Sequence, residues 1–85
     1  MAGARDEKII SEFGAMLRRA RTEVDLSQEQ LAGKAGLNRT FIALLESGKR
    51  QPSPCVICAL AQAVGKTPSA LLDGLSQALG RLNDR

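Results

Sequence analysis

The 85 residues predict an all-α fold, a five-helix bundle. Three observations carry that prediction. Aromatic residues make up 2% of the chain, and β-branched residues are few, so little favours strands. Apolar residues recur at spacings of three and four, the signature of a helix with one buried face. Between the apolar runs stand helix starts and stops in order, with Ser, Asn or Thr before a run and Gly after it.

A chain of this length makes one small domain with a marginal core. There is no Trp, Tyr or His, and the apolar fraction is 44%, so the core must be aliphatic. A net charge of +3 permits a polyanionic partner without demanding one. The longest apolar run, Cys55–Ala61, falls far short of the roughly 20 residues that span a bilayer. Arg5, Asp6, Glu7 and Lys8 are not followed by the apolar segment of a signal peptide. No membrane partner and a cytoplasmic location are therefore expected.

The elements follow one by one. Residues 1–7 are small and polar and are expected to be a flexible N-terminus. Ile9, Ile10, Phe13, Met16, Leu17, Ala20 and Val24 line one face of the first helix, with Glu12, Arg18, Arg19, Arg21 and Glu23 mostly opposite. Ser27 and Gln30 form a capping box, and Leu26 with Leu31 a hydrophobic staple, at the start of the second helix. Gly36 ends it. Asn38 caps the third, which buries Ile42 and Leu45 and stops at Ser47-Gly48. Ser53-Pro54 opens the fourth, with Val56, Ile57, Leu60, Ala61 and Val64 inward and Gly65 closing it. Thr67-Pro68 opens the fifth, whose Leu71, Leu72, Leu75, Leu79 and Leu82 are interrupted by Gly74 and Gly80. Helix is expected to about Leu79, giving a domain at 8–79 and a tail at 80–85.

Two short helices joined by a glycine turn match the helix-turn-helix pattern, in which the second helix enters the DNA major groove. The stretch SQEQLAGKAGLNRTFIALLESGK resembles the core of the phage-repressor-like, Xre/Cro class of DNA-binding regulators. The supporting pieces are Leu26-Ser27-Gln28-Glu29-x-Leu31-Ala32, Gly36, Ile42, Glu46-x-Gly48-x-x-x-Pro52 and Leu60-Ala61, spread over about Phe13 to Leu72. The resemblance implies a five-helix bundle that binds DNA, usually as a homodimer on a near-palindromic site. It places Gln28 at the DNA backbone and near a base edge. It gives base readout to Asn38, Arg39 and Thr40, with Ala43 and Leu44 one turn on. It places Ser47, Lys49 and Arg50 at the phosphates, where Ser27 and Arg18 also belong. Arg is the usual reader of guanine O6 and N7, and Thr40 can bond a base or set its methyl on thymine. Leu44 stands where the family often has a polar residue, and it is either a thymine-methyl contact or core. Asp25 replaces the usual Gly, and Asp tolerates the left-handed backbone such a turn needs.

Other residues read as structural. Gln30 caps, and Glu46 bonds within the fold, with Arg18, Arg19 or Arg21 as partner. Those three arginines read chiefly as a solvated face. Cys55-x-x-Cys58 is short of the four ligands of a structural zinc, so no metal is expected. Cys58 falls on the apolar stripe and reads as a buried thiol, and Cys55 is the place for any redox role. Leu75, Leu79 and Leu82 exceed what so small a bundle can cover and read as a dimer surface.

The expected function is a sequence-specific transcriptional regulator, either a small repressor or an autoregulatory restriction–modification controller. It needs no cofactor, catalysis or small-molecule ligand. The rival readings are an antitoxin or protein-interaction module and a thiol-based redox protein.

Overall fold

A computed structural model describes residues 3–83, with all side chains except those of residues 4, 5, 78, 79 and 81–83. Six helices and no strands occupy these residues: α1 (Ala4–Glu23), α2 (Gln28–Ala35), α3 (Arg39–Glu46), α4 (Pro54–Ala63), α5 (Pro68–Leu71) and α6 (Asp73–Asn83). None of them is long and apolar enough to cross a membrane.

The boundaries show how local signals and packing share the work. Helix α1 starts at Ala4, ahead of the expected start at residue 8. Asp6 and Glu7 in its first turn favour the positive end of the helix dipole, and the Glu7 N–H donates to the Gly3 carbonyl at 3.0 Å. Val24, expected on the apolar face of this helix, is 43% exposed. The helix ends at Glu23, and the chain turns away from the face there. At Asp25, φ is 59°, the left-handed conformation that the turn requires.

The predicted fifth helix is two. Leu72 leaves helical geometry as the cap of α5, and a new axis begins at Asp73. Turning there seats Leu71 in the core, 2% exposed, and lets α6 pack against α1.

The core is one aliphatic cluster around Leu17, Leu31, Ile42, Leu45, Leu60 and Ala61, all fully buried, with Phe13 beside them. Helix α3 lies between α1 and α2. The α1–α3 crossing is close: a Cβ on Gly14 would collide with the carbonyl oxygen of Leu45 and stand 2.7 Å from that of Glu46. Only hydrogen fits there, which is why glycine is found within a long helix despite its poor propensity.

Leu75 packs against the core cluster while remaining partly exposed, so it belongs to the bundle as well as to its surface. With Ile9, Ile10, Phe13 and Ile57 it lines a groove of about 290 Å³. Leu79 and Leu82 lie outside the residues whose side chains are described.

The cysteine expectation needs correcting. Cys58 is exposed, as is Cys55. Helix α4 buries Leu60 and Ala61, and Val64 just past it is also buried. At about 100° per residue, position 58 points well away from that face.

Candidate nucleic-acid interface

The unit formed by α2 and α3 begins with two caps. Ser27 Oγ accepts from the Gln30 N–H at 3.0 Å, and the Gln30 side-chain oxygen accepts from the Ser27 N–H at 2.8 Å. This is the full capping box. Gly36, at φ 71°, turns the chain, and Asn38 Oδ1 accepts from the Phe41 N–H at 2.8 Å to start α3. Asn38, itself exposed, thus spends its side-chain oxygen on the helix.

An ionic clamp holds the pair of helices against α1. Arg21 Nε–H donates to Glu46 Oε2 at 2.6 Å, and Nη2–H donates to Oε1 at 2.9 Å. A third bond from Nη1–H reaches the Leu26 carbonyl at 2.8 Å. The two side chains are 12% and 5% exposed, so this is a bidentate pair largely shielded from solvent. Among the three candidate arginines, it is Arg21 that meets Glu46, and Arg21 therefore leaves the solvated face on which it was placed. The hydrogen bonds that Arg21 donates to Glu46 raise its guanidinium above its already high ordinary value, against the lowering effect of burial. A group raised in the folded state contributes its stability at every pH below its unfolded value. The clamp therefore persists throughout the neutral range.

Gln28 joins this clamp. Its Nε2 donates to Glu46 Oε1 at 3.1 Å, so the glutamine assigned to DNA is half-buried and tied to the protein. One hydrogen of its amide nitrogen remains for another acceptor.

The outer side of α3 is different. Arg39 and Thr40 are exposed at its start, and Lys49 and Arg50 are exposed beyond its end. Among the described residues, no carboxylate pairs with these three cations. Ala43 is half-buried between the two sides. Leu44 is half-buried and is absent from the apolar residues packed on the core. Instead it lines an open basin with Thr40, Phe41 and Arg50. Ser47 Oγ–H donates to the Leu44 carbonyl at 3.2 Å. Arg18 is exposed on α1 and takes no part in the clamp.

Phe41 was missed by the sequence reading. The Arg50 guanidinium lies 5.4 Å from its ring centroid, within cation–π range, so the ring orients a cation at the basin it shares with Thr40 and Leu44. Helix periodicity carried a signal: Phe41 stands four residues before Leu45, at the edge of the buried stripe, and it packs against the core while partly exposed.

A solvent-facing helix start flanked by free cations, clamped from behind, defines a helix-turn-helix presentation surface. The chain belongs to the helix-turn-helix domain family, whose pattern matches residues 12–75. It is similar to the control protein C.BamHI of Bacillus amyloliquefaciens, 39% identical over 62 residues that cover 72% of this chain and 76% of that one. The control protein C.MunI of a Mycoplasma species is 35% identical over 66 residues, 76% of this chain and 89% of the relative. Among solved structures, the restriction–modification controller protein C.AhdI from Aeromonas hydrophila superposes with a TM-score of 0.71 at 40% identity, over 73% of this chain and 94% of that one.

Proposed function

We propose that the chain is a sequence-specific DNA-binding transcriptional regulator of the restriction–modification controller kind. It acts as a homodimer that sets one α3 into each half of a near-palindromic operator. The observation that carries this reading is the outward start of α3, where Arg39 and Thr40 stand exposed on a helix whose other side is locked into the core. The control-protein relatives support it.

The roles divide by chemistry. Arg39 bonds guanine O6 and N7 through two parallel hydrogen bonds, and Thr40 reads its neighbour. Leu44 offers an apolar surface to a thymine methyl. Lys49, Arg50 and Arg18, with the hydroxyl of Ser27, contact phosphates and set position rather than sequence, and Ser47 joins them by turning its hydroxyl from the Leu44 carbonyl to a phosphate. Gln28 donates its remaining amide hydrogen to a phosphate while Glu46 holds the other. Asn38 acts through its amide N–H groups, and Ala43 lets α3 approach the base edges closely. The two recognition helices sit about 34 Å apart along the duplex. Leu75, Leu79 and Leu82 form the dimer surface.

Selection of bound fragments from random duplex DNA by the purified chain tests the proposal. An enriched inverted repeat with half-sites one turn apart is the expected outcome. Binding without enrichment, disappearing as salt rises, would be sequence-independent attraction alone and would turn attention to a protein partner.

A further inference from the structure

We propose that Cys55 and Cys58 form a two-thiolate chelate, within one chain, for a soft metal ion of low coordination number, with Cu(I) as the representative. Both thiols are free and exposed, and both lie on the unbroken helix α4, away from the face that buries Leu60 and Ala61. Residues three apart on a helix bring their Cβ atoms to about 5–6 Å.

That spacing separates two possible fates of the pair. A disulfide needs its Cβ atoms about 3.5–4.5 Å apart, so joining the sulfurs directly would distort the first turn of α4. Ser53 holds that turn, its Oγ accepting from the Val56 N–H at 3.1 Å and its carbonyl from the Ile57 N–H at 2.9 Å. A metal that bridges two thiolates with bonds of about 2.3 Å each spans the wider gap without disturbing the helix.

The donor set then selects the ion. Thiolates prefer soft ions such as Cu(I). A structural zinc asks for four ligands, whereas the chain has no His. Among the described residues, no group of three or more His, Cys, Asp or Glu side chains comes together. Two thiolates alone suit an ion content with two ligands.

On binding, both thiols release their protons and both sulfurs bond the ion, with no change of oxidation state. Two neutral thiols and one monocation become a complex of charge −1 plus two protons. That negative charge falls on the helix that follows the Lys49–Arg50 loop. If the loop meets phosphate, loading opposes duplex binding. This consequence rests on the DNA-binding reading, and the chelate does not.

The reduced full-length chain is titrated with Cu(I) under anaerobic conditions against the chromogenic competitor bicinchoninate, without DNA. One ion bound per chain is expected, with binding lost in Cys55→Ser and in Cys58→Ser while helical circular dichroism is unchanged. Binding retained in either variant, one ion shared between two chains, or failure to draw Cu(I) from the competitor overturns the chelate. The duplex found by selection is then bound with and without Cu(I). Several-fold weaker binding by the loaded wild type, absent in the double serine variant, supports the coupling. Equal affinity overturns the coupling alone, and lack of any preferred duplex overturns the DNA reading without touching the titration.

Discussion

Helices α2 and α3 are alike in length and start yet opposite in what they leave free. Each has eight residues and a side-chain cap from the residue before it. In α2 the opening turn is consumed by the fold: Ser27 and Gln30 satisfy each other, and Gln28 bonds Glu46. In α3 only Asn38 is used, for the cap, and Arg39 and Thr40 face solvent. Two helices from the same local recipe thus divide into a holder and, on the proposed function, a reader. The difference arises from what stands behind each, because Glu46 at the end of α3 reaches back to α1 and α2 and leaves the start of α3 unencumbered.

Substitutions can break this division or sharpen it. The largest effect is expected at the clamp. Glu46→Ala leaves the Arg21 guanidinium largely buried without its partner and should cost about 3 kcal/mol of stability, read as a lower urea midpoint. A wild-type midpoint would show that the clamp does not hold the holder in place. Next, Gly14→Ala forces a methyl against two carbonyl oxygens of α3. Overpacking of this kind costs about 2–3 kcal/mol, measurable in the same titration.

On the reader side the readout changes from stability to binding. Arg39→Ala should lower affinity for the selected duplex by about 1–3 kcal/mol and relax one base position, while melting as wild type. If affinity and preference both survived, α3 would not be the reader. Ser27→Ala, by contrast, should cost about 1 kcal/mol of stability through loss of the cap and leave base preference as it was. The smallest effect belongs to Lys49→Ala, which should weaken binding evenly across sequences and lower the salt slope by about 1.

Most of the holder was legible in the residues. Ser27-x-x-Gln30, Asn38, Ser53-Pro54 and Thr67-Pro68 mark starts that the structure keeps, because a cap bond joins residues three apart and needs no distant partner. The exposed reader was legible in part. Arg39 and Thr40 stood out by position, whereas the pairing of Phe41 with Arg50 depends on a cation that returns from the following loop. Position 58 was misread because a stripe of small apolar residues does not say on which side of a helix the core lies. The break at Leu72 was invisible for a similar reason: Leu71 must reach the core and α6 must reach α1, and no local signal encodes both.

By itself, then, the order of residues determined the all-helical class, four of the helix starts and the left-handed turns at Asp25, Gly36 and Gly48. These depend on interactions within a few residues, and propensity and capping act at that range. Only the tertiary structure decided that Arg21 rather than Arg18 or Arg19 meets Glu46, that Gln28 is shared with the clamp, that Gly14 is a contact point, and that both cysteines face outward. Each of those depends on which surfaces meet across the bundle, and burial makes that choice collectively over the whole chain.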